Sequence, residues 1–471
     1  MVDSLETPVS TEDLQRTIIH LIEARKFIEL SKSLRVLDAP TLAELMLELE
    51  DQNKDYEVVV FRLLPQDLTV RTFEHLPTEN QEALLLGLGD KDVAEILDDM
   101  APDDRTGLLE ELPGKLTRRL LNLLSSDERQ IATQLLGYPE DSIGRQMTPD
   151  YVAIKPDWSV RQVLEHIRIF GSDSETLNVL YVVEKGGKLI DDIHIAEVLL
   201  TNARTNVREL MDKQFIALSA YSDQEEAVNM FQKHDRTALP VTDSKGILVG
   251  IVTVDDVLDI AEEEATEDIQ KLAGVEALEE PYLSIALPKL IRKRSLWLIV
   301  LFFGQMLTAT AMSAYEAQLQ QALVLALFIP LIISSGGNTG SQAATLIIRA
   351  LTIGELRLRD WWRVMRRELF SGLVIGSILG VLGFLRIASG EWLGSSYGEH
   401  WSLLGLTIAF ALLGVVLWGT LSGSLLPFLL KRLGIDPATS SAPLVATLVD
   451  VTGLIIYFTV ASLILKGSFL V

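Results

Sequence analysis

The chain contains no cysteine, so neither a disulfide framework nor a thiolate-bound metal site is available to it. Histidine is scarce. His20, His75, His166, His194, His234 and His400 are scattered, and no H-E-x-x-H pattern is present, which removes zinc-peptidase chemistry. No G-x-x-x-x-G-K-[ST] loop is present either, so nothing marks the chain as an ATP-driven pump. Acidic residues are nearly missing from one part only. Residues 281–471 hold 8 of them against 14 basic ones, whereas residues 1–280 hold 57 against 27. The net charge of −24 therefore divides into −30 and +6. That division points to an acidic soluble half joined to an apolar half. An acidic surface of this kind disfavours nucleic acid and attracts cations. The opening MVDSLETPVSTEDLQ is polar and acidic, unlike a secretory signal, so the soluble half is expected in the cytosol.

The 471 residues exceed the usual size of one compact domain. Residues 1–140 are rich in Leu, Glu and Asp without strand-like alternation. Leu64, Leu76, Leu88, Met100, Leu112 and Leu124 recur at steps of twelve. Pro65, Pro77, Pro102 and Pro113 follow four of them, with Gly89 and Ser125 at the other corners. Proline suits the first turn of a helix, so this part reads as short helices stacked into a superhelix. Residues 141–260 then read as an α/β unit used twice, starting at Met147 and Met211. Each start leads to a strand, a helix opened by serine, and two further strands. The segment Gly250 to Asp259, GIVTVDDVLD, resembles the end of a second CBS motif, so the region is similar to a tandem CBS pair. That resemblance implies that Thr253 and Asp256 hold an adenosine ribose, as in ATP. The first repeat reads LIDDIHIAEVL and lacks the matching pair.

Residues 261–294 pass from acidic to basic. Asp255, Asp256, Asp259, Glu262, Glu263, Glu264, Glu267 and Asp268 crowd one helical segment, followed by Lys289, Arg292, Lys293 and Arg294. Carboxylates so crowded repel one another, and hard divalent cations relieve that repulsion through oxygen ligands.

About 20 apolar residues cross a bilayer core as a helix, and runs of that kind occur at 295–315, 321–348, 369–389, 402–430 and 443–467. Residues 295–471 thus read as a five-helix membrane domain. The connections alternate in charge, with Lys289 to Arg294, Arg349 to Arg367, and Lys431 with Arg432 all on one side. The positive-inside bias places the N-terminal half in the cytosol and the C-terminus outside. Two features of these spans are polar. The first, LIISSGGNTGSQAATLIIRAL from Leu331 to Leu351, puts Gly336, Gly337 and Asn338 at bilayer depth. It reads either as a close helix–helix contact or as the lining of a polar path. The second is Asp450, an acid deep in the last span and flanked by Thr447, Thr452 and Gly453. Such acids face a cavity and mark an ion path. No second deep acid accompanies it, which speaks against an intramembrane enzyme.

The order of parts, together with Pro330 to Leu351 and DPATSSAPLVATLVDVTGLIIYF from Asp436 to Phe458, resembles the MgtE family of magnesium channels and transporters. The resemblance covers nearly the whole chain. It implies a homodimer in the cell membrane, with its pore on the two-fold axis. It also implies that Asp450 binds hydrated Mg²⁺ in that pore, near Gly336, Gly337 and Asn338, with Asp436 at the inner entrance. Regulatory Mg²⁺ is implied at Asp223, Glu225, Glu226, Asp255, Asp256, Asp259, Glu263, Glu264, Glu267 and Asp268. In the helical array, Asp92 with Glu95, or Asp99 with Asp103, would contribute. The expected function is passive Mg²⁺ entry gated by cytosolic Mg²⁺. The rival expectations are transport of Mn²⁺ or Co²⁺, and a nucleotide-sensing membrane receptor.

Overall fold

The computed structural model describes residues 11–50, 53–278, 282–283, 285–316, 323–393, 397 and 400–466. It divides into two units, Met1–Ala261 and Glu262–Val471.

Among the described residues the first unit begins with ten helices: α1 (Thr11–Glu23), α2 (Phe27–Leu34), α3 (Ala39–Glu50), α4 (Lys54–Arg62), α5 (Gln66–Glu74), α6 (Thr78–Gly87), α7 (Asp90–Asp99), α8 (Pro102–Glu111), α9 (Gly114–Leu123) and α10 (Ser126–Leu135). The twelve-residue period is the repeat of one helix plus its corner. Every residue of the series from Leu64 to Leu124 is buried in one apolar core. The corners are made by backbone restriction. A residue before proline is forced out of the helical region. Accordingly Leu112 is extended at ψ 149° ahead of Pro113, and Ala101 at ψ 143° ahead of Pro102. At Ser125 the hydroxyl does the same work by accepting from the Glu128 N–H at 3.4 Å. Helices then pack on their next-but-one neighbours, α5 on α7, α7 on α9 and α8 on α10, the stacking expected of a superhelix.

Two α/β repeats follow. The first holds β1 (Ala153–Ile154), α11 (Val160–Phe170), β2 (Val179–Val183), β3 (Leu189–His194) and the short α12 (Ile195–Leu200) and α13 (Val207–Leu210). The second holds β4 (Leu218–Ser219), α14 (Gln224–His234), β5 (Ala238–Thr242), β6 (Leu248–Thr253) and the start of α15 (Val254–Leu272). Each sheet pairs its first strand parallel to the second and its second antiparallel to the third. Within β3, Asp191 is fully buried and accepts from the Lys213 N–H at 2.9 Å, holding the strand to the loop after α13.

The boundary between the units falls inside α15. The acidic and basic parts of residues 261–294 fall on two separate helices. α15 starts at Val254 and stops where Gly274 takes φ +72°. The basic residues Lys289 to Arg294 belong to the first turns of α16 (Leu287–Ala314), which Pro288 opens. The other membrane-length helices are α17 (Ile329–Thr352), α18 (Trp361–Trp392), α19 (Trp401–Arg432) and α20 (Ala442–Ile464). These five agree with the expected spans. The expected start of the second span at 321 and end of the fifth at 467 lie outside the described residues.

α19 is the hub of the second unit, packing on α17, α18 and α20. Its contact with α17 is backbone on backbone. A Cβ added at Gly419 would lie 2.3 Å from the Gly336 carbonyl oxygen, and one at Gly423 would lie 2.1 Å from that of Gly340. Small residues four apart on both helices permit this approach, which in lipid replaces hydrophobic driving force with close packing. Gly423→Ala should therefore cost about 1–3 kcal/mol through overpacking, read as a lower unfolding temperature in detergent. Gly107→Ala, in mid-α8 with open space around it, should be neutral or stabilising by up to about 1 kcal/mol.

Candidate cation sites

The glycine contact fixes the rotation of α17 about its axis. With Gly336 and Gly340 turned to α19, Gly337, Asn338 and Ser341 face a cavity of about 370 Å³. α20 adds Ala446 and Asp450, and α16 adds Gln305 and Thr308. Asp450 lies eight residues into α20, so its Cα sits about 12 Å along the helix from its start. The Gln305 Nε2 donates to Asp450 Oδ2 at 2.9 Å. The Ser341 hydroxyl donates to the Ala442 carbonyl at 3.1 Å, tying α17 to the start of α20. There Ser441 accepts from the Leu444 N–H and from Trp297 Nε1, the latter at 3.2 Å. A lone carboxylate among hydroxyls and amides suits an ion that keeps its water shell. The close-contact reading of the Leu331–Leu351 stretch holds at Gly336 and Gly340, and the neighbouring face with Gly337, Asn338 and Ser341 borders the cavity.

Asp436 is not in this cavity. The chain leaves α19 through Gly434 at φ +75°, and Asp436 caps a 3-10 turn by accepting from the Ala438 N–H at 2.8 Å. Its other oxygen takes the Lys271 ammonium at 2.7 Å, and Lys271 also meets Glu267 at 2.5 Å. Burial works against the charged lysine, but these two carboxylates hold its pKa above the usual range. Asp268 lies beside them. Burial raises its pKa, Asp436 adds to the rise, and a hydrogen bond with Thr352 opposes it. Gly336 also departs from its expected role, since its open side meets Val415 and Val449 rather than the cavity.

In the first unit a wide cleft of about 1040 Å³ is walled by acids. Glu74 comes from the end of α5, Asp98 and Asp99 from α7, and Asp104 from the first turn of α8. Asp150 and Glu175 precede β1 and β2. Burial and the nearby Asp104 push the Glu74 carboxyl up to about 7. Burial, with Asp256, Asp259 and Asp255, pushes Asp104 up to about 6. Asp103 is raised by burial and then by Asp256, and its Oδ1 is buried without a partner. Asp256 itself is raised by burial, although its Oδ2 accepts from the Thr253 hydroxyl and N–H at the start of α15. The buried Arg105 guanidinium pairs with Glu128 and bonds the Leu97 carbonyl at 2.9 Å, one cation held against this acidic wall. Among the described residues no three His, Asp or Glu side chains converge closely enough to hold a metal ion.

Three stretches of the chain match known families. Residues 329–460 match the MgtE family, described as divalent cation transporters. Residues 37–141 match the MgtE intracellular N domain, and residues 207–263 match the CBS domain. The magnesium transporter MgtE of Thermus thermophilus is 37% identical over 460 residues, spanning 95% of this chain and 100% of the relative. The chain belongs to the MgtE family. The magnesium transporter MgtE of Bacillus subtilis is 30% identical over 88% of this chain and 92% of its own length. A crystal structure of the cytosolic domain of the Mg²⁺ channel MgtE in complex with ATP is similar with a TM-score of 0.50 and 32% identity. It covers 52% of this chain and 99% of that one. Five apolar helices in a transporter family make this a multi-pass membrane protein.

Against this MgtE framework the expected residues fall into groups. Gly337, Asn338 and Asp450 come together in the membrane cavity. Asp103 faces Asp256, Asp256 faces Asp255 and Asp259, and all three of the latter act on Asp104; Asp99 lines the same cleft as Asp104. Asp92 and Glu95 line a neighbouring groove, with Glu95 paired to Lys91 at 3.3 Å. Asp223 caps α14 by accepting from the Glu225 N–H at 3.0 Å, and Glu225 and Glu226 sit in that first turn. Glu263, Glu264, Glu267 and Asp268 fall in the second unit. Glu74, Asp104, Asp150, Glu175, Gln305 and Thr308 carried no sequence signal except Asp104, which directly follows Asp103 at a helix start.

The raised carboxyls give a pH dependence of definite sign. Glu74 and Asp104 hold their protons more tightly folded than unfolded. Their contribution to stability is full below the unfolded pKa of about 4 and is lost as pH rises through about 6 to 7. Metal-free protein should therefore unfold at a higher temperature at pH 5.5 than at pH 8. Millimolar Mg²⁺, which pairs with the ionised forms, should shrink or reverse that difference in calorimetry.

Proposed function

We propose that this MgtE-family chain conducts Mg²⁺ passively across the cell membrane and closes when Mg²⁺ accumulates in the cytosol. The observation that carries this reading is Asp450 in its polar cavity within the membrane helices. Mg²⁺ sheds water reluctantly and binds through few carboxylates. One acid, Asn338 and the Ser341 hydroxyl can hold such an ion by its waters. Asp450 is half-buried and Gln305 is exposed. That suits a homodimer in which a second copy completes the path, with lipid on the outward faces. The basic connections support a cytosolic first unit and an outside C-terminus. In that orientation the membrane potential supplies about 2.3 kcal/mol per unit charge per 100 mV, and about twice that for a divalent ion.

The acid-walled cleft is the sensor in this reading. Its carboxylates repel when ionised, and Mg²⁺ drawn among them stabilises one closed arrangement. Thr253 and Asp256 are the proposed contact for ATP, in keeping with the ATP complex of the related cytosolic domain. The proposed division of labour is a sensor over 1–140, a CBS pair over 141–260, a connection over 261–294 and a pore over 295–471. Among the described residues no second acid lines the Asp450 cavity to form a pair for acid–base catalysis, so no enzymatic role is proposed. A second reading, transport of another divalent cation such as Mn²⁺ or Co²⁺, is favoured by the broader description of the matched family. Competition between the metals separates the two.

The reading is tested by Mg²⁺ flux into liposomes. Asp450→Asn should remove flux while the purified protein keeps its elution volume, and flux that survives would move the ion path elsewhere. The sensor is tested separately. Asp104→Asn with Glu175→Gln and Asp256→Asn should raise the Mg²⁺ concentration that closes the channel by about tenfold or more, since each charge-assisted contact is worth roughly 1.5 kcal/mol. Closure at the wild-type concentration would remove the cleft from the gating mechanism.

A further inference from the structure

α16 is the least embedded of the five membrane helices. Most of its apolar side chains from Leu296 to Leu307 are exposed, and its packing is with α20. It also lies outside the matched transporter region, which begins at residue 329. Yet one point on it approaches α20 very closely. A Cβ at Gly304 would lie 2.8 Å from Thr447 Cγ2. This contact brings the next residue, Gln305, against Asp450, where its amide donates to Oδ2 at 2.9 Å. One turn on, the Thr308 hydroxyl is buried without a hydrogen-bond partner and lines the same cavity.

We propose that Gln305 is a specificity-determining residue of the ion path, and that the first membrane helix is thereby part of the site. This rests on Asp450 being the ion-binding acid. A carboxylate with both oxygens free can chelate a cation directly, which favours ions that give up water readily, such as Ca²⁺. Gln305 occupies Oδ2, and no donor among the described residues reaches Oδ1. With Oδ2 held by the Gln305 amide, bidentate chelation of a bare cation is disfavoured, and Oδ1 is left to accept from a water of a hydrated ion. Mg²⁺, the more reluctant to dehydrate, gains from this relative to Ca²⁺. The orphan Thr308 hydroxyl supplies a further partner for the same water shell.

The test uses full-length protein in liposomes, with Mg²⁺ influx measured alone and against Ca²⁺. Gln305→Leu keeps the shape and removes the donor. Flux should persist, and the preference for Mg²⁺ over Ca²⁺ should fall by about tenfold, the effect of one hydrogen bond to a charged group. Gln305→Glu adds a second carboxylate, so half-saturation by Mg²⁺ should move to lower concentration while maximal flux falls. A glutamine that only packs would let both substitutions lower flux with unchanged preference and half-saturation, and that result overturns the proposal. Asp450→Asn keeps the two questions apart. If it abolishes flux while both Gln305 variants behave as wild type, the channel reading stands and this inference falls. If it leaves flux intact, the underlying reading of Asp450 is wrong.

Discussion

The membrane unit depends on the contact between two pairs of glycines. Gly336 and Gly340 of α17 lie against Gly419 and Gly423 of α19 with carbonyl oxygens where side chains would be. This approach needs the absence of a Cβ on both helices, and it costs apolar side-chain area that lipid would not have rewarded. Its consequence is rotational. Once one face of α17 is committed to α19, the adjacent face carrying Gly337, Asn338 and Ser341 is committed to the cavity. Two hydroxyls along α17 are satisfied inside the helix, Ser335 on Leu331 and Thr339 on Ser335, each at 2.7 Å, while Ser341 bonds across to Ala442. The polar stretch therefore survives at bilayer depth without unpaired backbone.

Carboxylates are used in two opposite ways. In the membrane unit a single acid is isolated, held by one amide, and surrounded by neutral polar groups. In the first unit many acids are gathered and partly desolvated, so that each raises its neighbours. The isolated acid suits an ion in passage, because one contact can be made and broken quickly. The crowd suits an ion that is sensed, because neutralising it changes the energy of a whole assembly of repelling groups. α15 takes part in both units. Asp255 and Asp256 in its first turn belong to the acidic wall, while Lys271 in its last turn grips Asp436 at the edge of the membrane unit. An acid-rich helix thus ends in its one cation, where two carboxylates await it.

Patterns of period and length were legible in the chain itself. Twelve-residue spacing of leucines with prolines behind them, a strand–helix–strand–strand unit used twice, and five long apolar runs need only local rules. Backbone restriction before proline, strand alternation and the thickness of a bilayer are written in short stretches. Asp450 was legible for the same reason, since an acid amid apolar residues is conspicuous at any depth. The tertiary structure decided what depends on which helix face meets which neighbour. Gly336 and Gly337 are adjacent in the chain, yet one packs on α19 and the other borders the cavity, because successive helical residues point about 100° apart. Asp436 reads from sequence as an acid at the inner entrance; in the structure it follows Gly434 at φ +75° and pairs with Lys271, 165 residues away. Gln305, Glu74 and Glu175 are ordinary residues by local rules. Gln305 meets Asp450 only because α16 touches α20 at Gly304, and Glu74 and Glu175 share a cleft only because folding brings together segments about 100 residues apart.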